Sequence, residues 1–163
     1  MVENRKPMRL KNFDYSQPGY YFITVCTKNK RNVLGEIREE KMRLNQYGEI
    51  VKECWLDLPE HYVNCKLDEF VVMPNHFHSI IEITVPNGFQ PFREGLLHGL
   101  SEMIRGFKTF SSKKINQLGN TSKFQWQQSF YDRVIRNEEE LSKVREYIAN
   151  NPVKWELDSY FIK

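Results

Sequence analysis

Two strand-like segments separated by one tight turn constrain the fold of this chain more than any other feature. The segment KLDEFVVM (residues 66–73) is followed directly by PNHFHSIIEIT (residues 74–84), and both are rich in β-branched and aromatic residues. Pro74 and Asn75 mark the turn between them. Consecutive strands joined this tightly pair in antiparallel fashion, because a parallel pair needs a crossover of a dozen residues or more. The pattern therefore favours an α+β fold over a doubly wound parallel sheet.

Further strands are predicted on both sides of this pair. GYYFITVCT (residues 19–27) reads as a first strand, NVLGEIREEKMRL (residues 32–44) as a short hairpin, and FQWQQSFYDRVIR (residues 124–136) as a last strand. The expected architecture is an antiparallel sheet with flanking helices, of the ferredoxin-like or RRM-like kind. We expect one domain over residues 1–163, since this length suits a single core.

Three helices are predicted from apolar spacing and end signals. The apolar positions of the first, which ends before Pro59, are Leu44, Tyr47, Ile50, Val51, Cys54, Trp55 and Leu58. Those of the second are Leu96, Leu97, Leu100, Met103, Ile104 and Phe107. The third begins after Asn137, whose side chain can cap it, and ends by Asn151 because Pro152 disfavours helix at the residue before it.

Composition excludes several classes of protein. Cys26, Cys54 and Cys65 are an odd number without a C-x-x-C pair, so neither a disulfide framework nor a zinc ribbon is indicated. No apolar run approaches the roughly 18 residues that a membrane span needs, and no apolar signal region follows the charged N-terminus. We therefore expect a cytoplasmic protein without a membrane partner.

Positive charge is concentrated in two blocks of a chain whose net charge is +3. Residues 1–31 contain seven Lys or Arg and two Asp or Glu, and residues 91–136 contain eight and three. The basic residues on or near the polar side of the second predicted helix are Arg105, Lys108, Lys113 and Lys114. Such blocks are either solvated faces or contacts to a polyanion, and the aromatic residues between them suit stacking on nucleobases.

The strand over residues 76–84 contains two histidines, which a core strand does not require. Side chains alternate along a strand, so His76 and His78 project from one face while Phe77 projects from the other. Two imidazoles on one face can share a cation, although two structural histidines would give the same pattern.

The last predicted helix carries a second candidate group. Lys143, Tyr147 and Asn151 recur at i, i+4 positions on a stripe next to its apolar face. A phenol thus has a lysine one turn before it and a carboxamide one turn after it. Each residue also has an ordinary explanation, namely a solvated lysine, a boundary tyrosine and an asparagine that caps the helix before proline.

These motifs resemble a known family. PNHFHSII is similar to the His-hydrophobic-His motif of the HUH endonucleases, and YIANNP after FYDRVIRNEEEL resembles the catalytic helix of single-tyrosine HUH transposases, particularly the REP-associated tyrosine transposases. RLKNFDYSQPGYYFITVCT and NNPVKWEL are similar to that family too, so the resemblance extends from about Arg9 to Leu157. It implies an HUH nuclease domain that cleaves and rejoins DNA.

The resemblance also implies roles for individual residues. His76 and His78 would bind a divalent metal, Tyr147 would be the nucleophile that forms a 5′-phosphotyrosine, and Asn151 would supply a third ligand, where related insertion-sequence transposases have glutamine. Independently of the resemblance, Lys143 would favour the phenolate if it approaches Tyr147. Tyr131 is the rival tyrosine.

Cofactor and partners follow from the same resemblance. Two imidazoles and a carboxamide suit Mg²⁺ or Mn²⁺, and nitrogen ligands tilt the preference toward Mn²⁺. The expected partner is single-stranded or hairpin-containing DNA, bound through the basic residues, in a nucleoid-associated protein. A site within one chain or shared in a homodimer is compatible with the family. The alternatives are a catalytically inactive hairpin-binding module of the same fold and a zinc hydrolase that uses Glu82.

Overall fold

A computed structural model describes residues 13–88 and 97–162, which contain six strands and four α-helices. The strands are β1 (Gly19–Cys26), β2 (Gly35–Arg38), β3 (Lys41–Leu44), β4 (Cys65–Val72), β5 (His76–Ile83) and β6 (Tyr131–Ile135). The helices are α1 (Gln46–Leu56), α2 (Leu58–His61), α3 (Leu100–Asn116) and α4 (Glu138–Ala149). Two short 3-10 helices cover Lys28–Lys30 and Trp155–Leu157.

The main sheet has four strands in the order β4-β5-β1-β6, and every neighbouring pair is antiparallel. The chain order β1-α1-β4-β5-α3-β6 with β1 and β5 at the centre is the ferredoxin-like arrangement. This confirms the predicted α+β fold. The predicted hairpin is also present, because β2 and β3 pair as a separate two-stranded sheet.

The two faces of the sheet bury different helices. Helices α1 and α3 cover one face, where the rings of Trp55, Phe77 and Phe107 lie 4.8–5.2 Å apart. Helix α4 covers part of the other face and packs against Phe22 and Ile80. The two histidines of β5 project toward the α4 side, so the sheet separates them from α1 and α3.

Helix α4 forms where the sequence predicts it. The side chain of Asn137 accepts a hydrogen bond from the backbone N–H of Glu140, which caps the first turn. Three acidic residues in that turn favour the positive end of the helix dipole. Leu141, Val144 and Ile148 are buried against the sheet.

The predicted last strand is shorter in the structure, whereas the first helix ends before Pro59 as predicted. Only β6 of this segment is a continuous strand. Before it, Trp126 forms a single bridge to Thr27, and the carbonyls of Gln127 and Gln128 accept hydrogen bonds from the Lys108 ammonium, at 2.6 and 2.9 Å. Helix α1 ends at Leu56, and Pro59 lies in the first turn of α2, where its missing N–H is tolerated.

The second predicted helix starts later than expected. Helix α3 begins at Leu100, so Leu97 precedes it, and Leu96 lies outside the described residues. Within residues 13–88 and 97–162, every helix is too short or too polar to cross a lipid bilayer.

Candidate functional site

The two histidines are adjacent on the central strand β5. Each is flanked by paired strands, which leaves His76 0% and His78 1% exposed. Their ring centroids lie 4.4 Å apart on the α4 side of the sheet. The period of the strand therefore brings them together, as the sequence predicts.

A neighbouring amide fixes the proton of His76. The Asn75 side chain donates hydrogen bonds from Nδ2 to the carbonyls of Lys30 and Tyr160, at 3.1 and 2.8 Å, which orients its Oδ1 toward His76. His76 Nδ1 lies 2.8 Å from that oxygen and must carry the proton, since an amide oxygen only accepts. Its Nε2 therefore keeps a free lone pair.

His78 lies between a threonine and the candidate nucleophile. Its Nδ1 is 2.7 Å from the Thr24 hydroxyl, and its Nε2 is 3.3 Å from the Tyr147 hydroxyl. With the proton on Nδ1 and donated to Thr24, Nε2 accepts from Tyr147. The Nε2 atoms of both histidines then face the same cluster.

Burial makes both imidazoles neutral. It lowers the pKa of His76 to about 3, and the nearby Lys30 ammonium acts in the same direction. Burial likewise lowers the pKa of His78 to about 3, with a further contribution from His76. Neutral imidazole is the form that binds a metal ion.

Asn151 and Asp158 complete the cluster. Asn151 is buried just beyond α4, and its Nδ2 donates to Asp158 Oδ2 at 2.9 Å, which turns its Oδ1 away from that carboxylate. The Oδ1 of Asn151 and the Nε2 of His76 are both buried without a hydrogen-bond partner among the described residues. Unpaired buried polar atoms are rare in folded proteins and point to a missing ligand.

These donor atoms fit a divalent metal ion. Ligand atoms of His76, His78 and Asp158 all lie within 4.8 Å of one another, and Asp158 Oδ2 is 3.9 Å from His76 Nε2. Two imidazole nitrogens with a carboxylate or amide oxygen are an ordinary ligand set. The three residues could therefore form a metal site, with Asn151 as a further oxygen donor.

Tyr147 borders this cluster from α4. Its neighbours Val144 and Ile148 are buried, whereas Tyr147 itself is 45% exposed, and its ring contacts those of Phe22 and His78 at 6.0 and 5.3 Å. Burial raises the pKa of Tyr147, Asp158 raises it further, and a hydrogen bond with Asn151 lowers it.

Lys143 has another partner in the structure. Its ammonium lies 2.5 Å from a carboxylate oxygen of Glu139, one turn earlier on the exposed side of α4. The hypothesis that Lys143 modulates the pKa of Tyr147 stays a prediction.

A cleft of about 400 Å³ opens beside Tyr147, between β6 and α4. Its lining includes His78, Tyr131, Arg133, Tyr147 and Tyr160. Tyr131, the rival tyrosine, is 41% exposed there, while the ring of Tyr160 packs 4.6 Å from that of His76. The site thus contains three tyrosines, Tyr131, Tyr147 and Tyr160. The hydroxyl of Tyr147 lies beside Nε2 of His78.

The predicted DNA-binding residues lie on α3, across the sheet from this cluster. Arg105, Lys113 and Lys114 are exposed, and Lys108 is half-buried on the two carbonyls described above. Lys113 and Lys114 belong to the last turn, near the end of the sheet that carries His76. Arg105 lies more than two turns earlier.

Sequence reasoning missed four residues that shape the site: Thr24, Asn75, Asp158 and Tyr160. Asn75 could have been found, since it directly precedes His76 in the turn. Asp158 and Tyr160 lie beyond Pro152 in a segment without periodicity, so no local pattern marks them. Glu82, which the hydrolase alternative requires, lies four residues beyond His78, about 13 Å along the strand, and is too far away to act at the histidine pair.

Comparisons with known proteins identify the family of this chain. Residues 16–151 match the model of the family described as Transposase IS200 like. An uncharacterized protein of Haemophilus influenzae is 35% identical over 175 aligned positions, covering 99% of this chain and 95% of the relative.

Two solved structures share the fold. A REP-associated tyrosine transposase bound to a REP hairpin superposes with a TM-score of 0.63 at 23% identity, over 91% of this chain and 74% of that one. A protein assigned as a transposase from Deinococcus radiodurans R1 gives a TM-score of 0.52 at 16% identity, over 87% and 95%.

A ferredoxin-like sheet with paired histidines beside a helix-borne tyrosine defines the HUH class that the sequence resembles. Because the family model spans most of its length, the chain belongs to the family of IS200-like transposases.

Proposed function

We propose that this protein cleaves and rejoins single-stranded DNA with Tyr147 as the nucleophile. The observation that carries the proposal is the distance of 3.3 Å between the Tyr147 hydroxyl and His78 Nε2. Tyr147 and His78 line the cleft, and the side chains of His76, Asp158 and Asn151 lie buried behind His78 in the same cluster. Membership of a transposase family supports this chemistry.

The proposed reaction is a transesterification at one phosphodiester. The Tyr147 phenolate attacks phosphorus, the bond to the 3′ oxygen breaks, and that oxygen leaves as a 3′-hydroxyl after taking up a proton. The phosphate stays on Tyr147 as a 5′-phosphotyrosine, and attack by a 3′-hydroxyl reverses the step without ATP.

His76 and His78 would hold a divalent metal, Mg²⁺ or Mn²⁺, together with Asp158 or Asn151. When bound, such an ion polarises the scissile phosphate as a Lewis acid. We favour Asn151 as an oxygen ligand because its buried Oδ1 is unpaired, with Asp158 orienting its amide.

The phenolate needs stabilisation by its neighbours. A tyrosine with an ordinary pKa near 10 is ionised in roughly one molecule per thousand at pH 7. Burial raises the pKa of Tyr147 further, and Asn151 opposes that shift with a hydrogen bond. Asn151 therefore has two roles in the proposal, one toward the metal and one toward the nucleophile.

The substrate strand would occupy the cleft between β6 and α4. Tyr131 offers an exposed ring for a base, and Arg133 offers a guanidinium for a phosphate. One structurally similar protein was solved with a REP hairpin, so we propose hairpin-containing DNA as the partner. The cations of α3 would contact the DNA outside the cleft. We propose that the protein acts at the nucleoid in the cytoplasm.

A site within one chain is the arrangement that we propose. The phenol reaches His78 of its own chain, so the cluster needs no second copy. A homodimer would then serve to bind two DNA ends and not to complete the active site.

Trapping of protein on DNA tests the proposal. The protein is incubated with Mn²⁺ and a labelled hairpin-bearing single strand and then separated by denaturing electrophoresis. We expect a covalent adduct that EDTA abolishes. Tight binding without any adduct would favour the inactive hairpin-binding module instead.

A further inference from the structure

A second cavity, lined mainly by polar residues, lies near the end of the sheet that carries His76. It has a volume of about 250 Å³, and its lining includes Lys28, Arg31, Tyr47, Lys123, Phe124 and Gln125. Three of these residues are cations, and no Asp or Glu is among the described residues that line it. The cavity therefore suits an anion that also carries an apolar part.

Hydrogen bonds build this cavity before any ligand arrives. Lys28 donates to Gln125 twice, from its backbone N–H to the carbonyl at 2.9 Å and from Nζ to Oε1 at 2.8 Å. The side chain of Asn116 holds Phe124 through both backbone groups, at 2.8 and 3.0 Å. The Asn120 amide donates to the Tyr47 hydroxyl and so fixes that ring.

One short segment joins the cavity to the metal cluster. Asn29 and Lys30 have φ values of 58° and 51°, a left-handed conformation that is costly for residues other than glycine. Lys30 then faces the cluster, with its ammonium 5.2 Å from the centre of the Tyr160 ring and its carbonyl bound by Asn75. Lys28 and Arg31, on either side, face the cavity.

We propose that this cavity binds an unpaired nucleotide of the DNA strand that flanks the scissile phosphate. Arg31 and Lys123 contact its phosphate, and its base lies against the ring of Tyr47. The inference rests on the proposed function, because it names where the strand runs after leaving the catalytic cleft. It adds a binding subsite on the side of the sheet opposite the cleft.

Charge removal gives the first test. Arg31 and Lys123 are exposed, so Arg31→Ala combined with Lys123→Ala should fold normally. We expect its Kd for a labelled single strand, measured by fluorescence anisotropy, to rise about tenfold at low salt. The slope of log K against log salt should fall by about 0.7, since the two cations share one single-strand phosphate and each such phosphate contributes about 0.7.

A matched variant removes the same charge elsewhere. Lys52→Ala with Lys66→Ala, exposed on α1 and β4, should change the slope much less than the cavity variant. Equal slopes for the two double variants would overturn the subsite.

Stacking gives the second test. In the wild-type protein, an abasic site at the flanking nucleotide should weaken binding at least fivefold, as expected for loss of one stacked base. In Tyr47→Leu the same abasic site should cost nothing more, because the ring is already gone. An equal penalty in both proteins would show that the base lies elsewhere and would overturn the inference.

The adduct assay separates this inference from the proposed function. If wild-type protein forms the adduct but both binding tests fail, the subsite is wrong and the function stands. If both binding tests succeed but no adduct forms, the subsite stands as a strand-binding site and the cleavage reaction is wrong.

Discussion

Each of the two histidines has one ring nitrogen held by a neighbour and the other directed at the cluster. Asn75 holds His76, and Thr24 holds His78. Such partners fix the ring orientation and the position of the proton, and their loss typically lowers metal affinity 10- to 100-fold. They are therefore the residues whose replacement best separates a metal site from two structural histidines.

Thr24→Val tests whether the hydroxyl that holds His78 supports metal binding. The change keeps the side-chain shape but removes the partner of His78 Nδ1. We expect Mn²⁺ affinity, measured by isothermal titration calorimetry, to fall about tenfold. Thr84→Val, beyond the far end of β5, is the control and should bind Mn²⁺ like the wild type. Equal affinity in all three proteins would mean that His78 is not a ligand.

The buried histidines also predict how stability depends on pH. Burial lowers the pKa of both to about 3, so below about pH 6.5 the unfolded chain binds protons that the folded chain excludes. Their contribution to stability is complete above that pH and is lost as the pH falls toward 3.

Urea unfolding of the metal-free protein at several pH values measures this loss. The free energy of unfolding should decrease on acidification, and His78→Asn should show a flatter dependence than the wild type. Parallel curves for the two proteins would contradict a buried neutral imidazole at His78.

At the scale of elements, an ion pair fixes α4 against the edge of the sheet. Arg145 donates from Nε to Asp68 Oδ1 at 2.9 Å and from Nη2 to Oδ2 at 2.6 Å. The Arg145 guanidinium, through this hydrogen bond, lowers the pKa of Asp68. Because Tyr147 lies two residues further on, this contact to β4 helps to set the position of Tyr147 on the sheet.

Asp68→Asn should loosen this attachment. We expect a loss of about 1 kcal/mol in the free energy of unfolding and slower adduct formation at saturating DNA. Glu139→Gln, which breaks the exposed pair with Lys143 on the same helix, is the stability control and should cost roughly 0.3 kcal/mol. A loss no larger than that of the control would contradict the proposed role of the Asp68 pair.

The elements that could be predicted from sequence are those decided by nearby residues. The β4–β5 turn and the Asn137 cap depend on neighbours within a few positions, and the histidine pair depends only on the strand period. The start of β6 could not be predicted, because Lys108 reaches it from a distant helix. Asp158 enters the site for a similar reason, since the chain returns to His76 only after Pro152.

At the scale of the whole molecule, the basic residues of α3 and the histidine cluster lie on opposite faces of the sheet. DNA that contacts both must therefore pass around the end of the sheet that carries His76. The last turn of α3 is near that end, whereas Arg105 lies near Tyr62, toward the opposite end.

This arrangement predicts unequal roles for the cations of α3. Lys113→Ala with Lys114→Ala should reduce the salt dependence of hairpin binding by up to about 1.8 in the slope, since each duplex phosphate contact contributes about 0.9. Arg105→Ala should change it less per charge removed. Filter binding over a range of salt concentrations measures both. An unchanged slope in the double variant would show that this face is only solvated.

The identity of the nucleophile is the central claim, and mapping the covalent adduct tests it most directly. Tyr147→Phe keeps the ring that contacts Phe22 and His78 but removes the oxygen beside Nε2. Tyr131→Phe and Tyr160→Phe make the same change at the other two tyrosines of the site. With Mn²⁺ and a labelled hairpin-bearing strand, we predict that Tyr147→Phe binds DNA but forms no adduct, while the Tyr131→Phe protein still forms one. Peptide mapping of the wild-type adduct should place it on Tyr147, and an adduct that survives Tyr147→Phe, or maps to Tyr131 or Tyr160, would contradict the account.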